Sequence, residues 1–301
     1  MHLDAARPKP RLARLSGVVT LLAAVLLAFA LQAPSADAAK KKRVIAISPF
    51  AAQTMVQLGY RPYRVGMTLG ATKHQKRLLK GIPAMTLSHP NGPNLELVAK
   101  MRPKIVFSSN RWSRGNKAMR QLGIRVVVAD PLTPASVKKK VTQIGRILGR
   151  KKQARKLNKK ITRQLNSATR GISGIRPRTL VVLGIGTTAM AFLENSWGGR
   201  LIRMAGGKLV TGNASAGGGF ARISDEVVLQ EDPERIVVVP HGTNDDLSRV
   251  AKWVTDNEVY KSTSAGQSGN IGISGDNTLL QAGTDLGATI RYIRTNFLKN
   301  W

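Results

Sequence analysis

Nine residues with binding chemistry stand in short polar stretches beside apolar runs. Phe50, His89, Asn91, Arg111 and Trp112 do so in the first half of the chain, and Trp197, Phe220, Arg222 and His241 in the second. Aromatic faces offer flat apolar contact and guanidinium groups offer charge, so together they suit a flat, anionic, partly apolar ligand. Catalytic chemistry is poorly supplied. The four histidines are His2, His74, His89 and His241, and no H-E-x-x-H, G-x-S-x-G or P-loop pattern occurs. Between residues 38 and 131 the only acids are Glu96 and Asp130, which leaves little for a carboxylate pair. His, Asp and Glu are too dispersed for a metal site made wholly of side chains. With no cysteine, disulfides, thiolate metal sites and thiol catalysis are excluded.

Glu96 is the one acid in a strongly basic segment, and it has a counterpart. Asn94-Leu95-Glu96 leads to Pro103 and the run Ile105-Val106-Phe107; Ser224-Asp225-Glu226 leads to Pro233 and Ile236-Val237-Val238-Val239. Each reads as a capped short helix, a proline stop and a buried strand. A carboxylate in a first helical turn stabilises by under about 1 kcal/mol. That explains one glutamate and not the matched position of two, which could pair with arginines on a two-fold partner.

The elements that must position these residues alternate between strand and helix, as in a parallel sheet. Val44-Ile45-Ala46-Ile47 reads as a strand buried on both faces; Ser48-Pro49 opens a helix that ends at Gly59. Strands are expected at Tyr63–Gly66 and Arg125–Ala129, with a helix between Asn116 and Leu122. Thr179–Leu183 reopens the pattern, and Gly184-Ile185-Gly186 reads as a turn, lacking the spacing of a dinucleotide fingerprint. Trp197-Gly198-Gly199 precedes a helix ending at Gly206-Gly207, and Thr284–Phe297 is a terminal helix. The fold class is therefore α/β in two similar halves, with ligands expected outside the carboxyl ends of the strands.

Residues 1–38 have the layout of a secretory signal: a basic start, the apolar run Val18–Leu31 and the Ala36-Asp37-Ala38 cleavage pattern. Residues 39–133 and 173–301 are the expected lobes, joined by residues 134–172. In that joining segment Val137, Val141, Ile144 and Leu148 form a stripe continued by Leu157, Ile161, Leu165 and Ala168, fitting two helices joined at Gly149. Thirteen lysines and arginines lie between Lys138 and Arg170, with no acid from Pro131 to Leu193. This is either a solvated polar face or a docking face for an acidic polymer or anionic membrane. The whole chain carries a net charge of +32, which points to an anionic partner.

These motifs, in this order, resemble the ABC-transporter substrate-binding proteins for ferric siderophores, haem and cobalamin. Val44 to Pro49 followed by Leu58-Gly59, the two glutamate–proline motifs, Leu148-Gly149-Arg150 and Ala205-Gly206-Gly207 carry the likeness. The resemblance implies two Rossmann-like lobes joined by a long helix, a ligand cleft between them, and no catalysis. It implies that Glu96 and Glu226 dock on arginines of a membrane permease. It also implies an exported, monomeric protein without intrinsic cofactor or nucleic-acid partner, soluble after cleavage. Without cysteine it is not a lipoprotein. A ferric siderophore is favoured as ligand, with haem second and cobalamin third. His241 would be the axial metal ligand if the ligand is haem. Two other classes stay open: a cationic surface protein binding acidic polymers, and an exported enzyme using His89 and His241.

Overall fold

Val44, Ile45 and Ala46 are shielded on both faces, which places β1 (Val44–Ala46) at the centre of a sheet. The computed structural model describes residues 43–298 apart from 67–70, 90, 173, 175, 187 and 243–246. The proposed leader at 1–38 lies outside the described residues. After β1 come α1 (Pro49–Gln57), β2 (Arg64–Gly66), α2 (Lys73–Leu78), β3 (Ala84–Met85), the small ribbon β4 (Leu87–Ser88) and β5 (Gly92–Pro93), α3 (Leu95–Met101), β6 (Ile105–Ser108), α4 (Ser113–Gln121) and β7 (Val126–Val128). The first sheet is wholly parallel, in the order β3-β2-β1-β6-β7. The winding reverses between β1 and β6, and a crevice opens above such a switch point.

Two helices follow: α5 (Val137–Ile147) and α6 (Lys151–Thr169). Gly149 in the left-handed region, φ 69°, breaks them apart as its position in the sequence predicts. They fold back on each other: a Cβ on Gly145 would lie 2.5 Å from that of Ala154, so only glycine permits the crossing. The apolar stripe predicted from periodicity is buried, through Val137, Val141, Ile144, Leu157, Ile161 and Ala168. It belongs to a core continuous with both sheets. The link between lobes is α6, about 28 Å long at 1.5 Å per residue.

The second sheet is built from β8 (Arg178–Ile185), β9 (Thr188–Phe192), β10 (Lys208–Leu209), β11 (Phe220–Ala221), β12 (Arg235–His241) and β13 (Ile271–Ile273). Its order is β11-β9-β8-β12-β13, with β10 beside β8; β9 and β11 run antiparallel. Interleaved are α7 (Trp197–Ala205), α8 (Asp225–Glu231), α9 (Leu247–Thr255), α10 (Glu258–Ser262), α11 (Ser264–Gln267) and α12 (Leu286–Phe297).

Three local expectations shift. Gly184 and Ile185 continue β8, and Gly184 is there because a Cβ would meet Val250 at 2.8 Å and Val254 at 3.0 Å. Trp197 opens its helix, because Ser196 takes the N-cap and accepts from the Gly199 N–H. The last helix starts at Leu286, because Thr284 and Asp285 are engaged with the other lobe.

The glutamate motifs fold alike. The helices α3 and α8 are each seven residues long, capped by Asn94 and Ser224. Each ends on a non-glycine residue in the left-handed region, Arg102 (φ 44°) and Asp232 (φ 40°). The following prolines disfavour a right-handed helical conformation at those positions. Glu96 and Glu226 are both exposed in the first turns.

Candidate functional site

At the first switch point Ser48 follows β1 and Ser109 follows β6, both buried. Ser48 caps α1 by accepting from the Ala51 N–H at 3.0 Å, and its hydroxyl donates to the Asp130 carboxylate. Asp130 comes just after β7 and also receives a Ser109 hydrogen bond; Arg111 and Lys140 favour its charge, but burial outweighs them and raises its pKa. The β6 loop is held from behind. Ser108 Oγ donates to Asn116 Oδ1 at 2.5 Å, and Asn116 Nδ2 donates to the Ser109 carbonyl at 2.8 Å. A 3₁₀ turn, Asn110–Trp112, then presents Arg111. Arg111 is exposed, and its Nη2 donates to the Leu280 carbonyl of the other lobe at 3.2 Å.

In the second sheet the matching point lies between β8 and β12. His241 ends β12, in register with Ile185 at the end of β8. It is half-buried. Burial lowers its pKa first, then the Arg111 guanidinium facing it from the first lobe; a hydrogen bond with the Asn277 side chain acts the other way. From an ordinary value of 6.5 the net direction is downward, so the imidazole is neutral at pH 7. Arg111 and His241, chosen from opposite halves of the sequence, are brought together.

The aromatic residues divide. Phe50 is wholly buried in the core, since it lies on the sheet-facing side of α1, and it offers no surface to a ligand. Trp112 is 6% exposed, its Nε1 donates to the Ile47 carbonyl at 3.4 Å, and its side chain covers Gly92. His89 is exposed and meets the Trp112 ring edge-on, centroids 6.1 Å apart. Asn91 is exposed beside it. Trp197 is half-buried against the core, with its buried Nε1 lacking a protein partner among the described residues. Phe220 stacks edge-on with Phe192 at 4.8 Å, and Arg222 next to it is exposed. Among the described residues no cluster of three metal-ligating side chains occurs. Nor is any described helix long and apolar enough to cross a membrane.

Sequence reasoning missed the seam between the lobes. Gln53, fully buried on α1, accepts from Gln75 Nε2 at 3.1 Å and from the Thr284 N–H at 3.3 Å, and donates to Asp285 Oδ1 at 3.2 Å. Gln75 also donates to the Ala282 carbonyl at 2.9 Å, and Thr284 Oγ1 donates to Gln57 at 2.7 Å. The one signal was Gln53 set among Phe50, Ala51, Ala52 and Met55, since a buried amide needs partners.

A family model described as periplasmic binding protein matches residues 37–277. A cobalamin-binding protein of Halobacterium salinarum is 28% identical over 240 residues, covering 76% of this chain and 62% of that protein. The high-affinity heme uptake system protein IsdE of Staphylococcus aureus is 26% identical over 183 residues, covering 58% of this chain and 61% of IsdE. The chain thus spans about three fifths of the curated relatives it matches. Among solved structures, S. aureus IsdE complexed with heme superposes with a TM-score of 0.71 at 20% identity, over 86% of this chain and 100% of that one. The periplasmic heme-binding protein BhuT in complex with two hemes gives 0.69 at 18% identity, over 84% and 97%. The periplasmic catecholate-siderophore binding protein VctP of Vibrio cholerae gives 0.66 at 16%, over 84% and 91%. Two α/β lobes, switch points that face across a seam, and a family match over most of its length make this chain a member of the periplasmic binding protein family.

Proposed function

We propose that the protein is an extracytoplasmic carrier that captures haem in the cleft, with His241 as axial ligand, and delivers it to an ABC permease. The observation that carries this reading is the position of His241, half-buried at the end of β12 at the second switch point with Arg111 near it. Asn277 hydrogen-bonds one ring nitrogen, which orients the ring and leaves the other lone pair for iron. Arg111 and Arg222 supply positive charge for carboxylates on the macrocycle's edge. A ferric siderophore, favoured on sequence grounds, would lean on aromatic walls; Phe50 and Trp112 are committed to packing, which weakens that case. Glu96 and Glu226, alike in helix, cap and exposure, are the docking pair for arginines of the permease.

The test is an absorption titration of the chain from residue 39 with haemin and with ferric siderophores. Saturable haemin binding with a Soret shift, lost in His241→Ala while the fold survives, is expected. Saturable binding of a ferric siderophore, with haemin adhering only nonspecifically, would replace haem by the siderophore.

A further inference from the structure

The α5–α6 hairpin carries charge that its own stability opposes. Neither helix has an acid in its first turn or a side-chain N-cap; Lys138 to Lys140 and Lys151-Lys152 sit at the positive ends of the helix dipoles instead. Along α6, Lys152 and Lys156, Arg155 and Lys159, Lys156 and Lys160, and Lys159 and Arg163 are like-charge neighbours four residues apart. Packing requires none of this, because the buried stripe is Ala154, Leu157, Ile161 and Ala168.

The fold gathers these cations into a groove. Lys138, Lys139 and Arg146 of α5 face Lys156, Lys159 and Arg163 of α6 across a cleft of about 810 Å³. All six are exposed, and among the described residues none lies within ion-pairing distance of a carboxylate. The floor is set by cross-helix hydrogen bonds: Asn158 Nδ2 donates to the Lys138 carbonyl at 3.1 Å and to Thr142 Oγ1 at 2.9 Å, and Lys138 Nζ donates to Thr162 Oγ1 at 3.3 Å. On α6, Lys156, Lys159 and Arg163 stand three and four residues apart and so lie about 5–6 Å from each other; on α5, Lys138 and Lys139 stand about two turns from Arg146 along the opposite wall.

We propose that this groove docks a linear phosphate polymer, independently of what the interlobe cleft carries. Cations on both walls of an elongated groove match a chain that carries charge all along its length, and both ammonium and guanidinium groups bind phosphate well. A membrane surface fits less well, because none of the exposed large apolar side chains lies on the hairpin to insert into lipid.

The experiment uses the chain from residue 39 and end-labelled inorganic polyphosphate, followed by fluorescence anisotropy over a salt series. Six cations predict that log K falls against log salt with a slope of about −4. Lys138→Gln, Lys139→Gln, Lys159→Gln and Arg163→Gln together should weaken binding by about tenfold or more and reduce the slope toward about −1. Lys73→Gln, Lys76→Gln, Lys80→Gln and Lys117→Gln together remove as much charge elsewhere and should change affinity by less than about twofold. Circular dichroism confirms that both variants fold. Equal losses in the two variants would show diffuse charge and overturn the site. So would tighter binding to polyglutamate than to polyphosphate, or binding to phosphatidylglycerol vesicles with none to polyphosphate.

Discussion

Replacing Gln53 by leucine keeps a side chain of similar volume and removes the three hydrogen bonds that Gln53 makes in the seam. Two buried donors lose their acceptor. The Thr284 N–H, on a residue 2% exposed, has no other acceptor among the described residues, and the Nε2 of Gln75, fully buried, is left donating only to the Ala282 carbonyl. Each unsatisfied buried donor costs about 1–3 kcal/mol. Asp285 is half-exposed and recovers a partner from water. The added apolar burial of leucine returns about 1 kcal/mol. The net expectation is a loss of about 2 kcal/mol, or a fall in Tm of about 4–8 °C for a chain of this size. Because one core runs through both lobes and the hairpin, unfolding should be a single transition, read by far-UV circular dichroism in urea and on heating. Gln57→Leu is the internal comparison. Gln57 is exposed and among the described residues accepts only from Thr284 Oγ1, so its loss should stay under about 1 kcal/mol. A Gln53→Leu variant within about 0.5 kcal/mol of the parent, or no worse than Gln57→Leu, would show that the seam does not hold the lobes.

Three further outcomes are expected. The pair Glu96→Ala and Glu226→Ala should leave haemin affinity intact and cut uptake through the cognate permease by about tenfold or more; unchanged uptake removes the docking assignment. In haemin titrations from neutral pH down past 6.5, affinity should fall as His241 protonates; Arg111→Ala, which relieves a positive neighbour, should move that fall to higher pH. A fall that stays in place would separate the two residues. Asp130 has a folded pKa above its unfolded 3.8, so the folded state holds its proton longer and stability declines as pH rises through that window. Asp130→Asn should therefore raise Tm at pH 7 and flatten the profile from 3.8 upward, and an unchanged pH slope would contradict this.

Much of the architecture is legible in the amino-acid sequence. Continuous β-branched runs marked the buried parallel strands, because a strand covered on both faces leaves no polar positions. The 3.6-residue stripe and Gly149 defined the hairpin, and the proline spacing marked the paired helices α3 and α8. These features are local: periodicity, capping and the restriction before proline act within a few residues of chain.

What the tertiary structure alone decided are the side-chain directions at strand ends and the partners far away in sequence. A residue just after a strand can turn toward the cleft or into the core, and its type does not say which. Phe50 therefore turned inward while Arg111 reached the opposite lobe. Gln53 and Asp285 lie 232 residues apart, and Ser48 and Asp130 lie 82 apart. Nothing in either neighbourhood specifies the other, since such pairs form only when the sheet order and the hairpin bring their elements together. The amino-acid sequence determined which segments fold and which faces they bury; the packing of the two sheets across the seam decided which polar groups meet there.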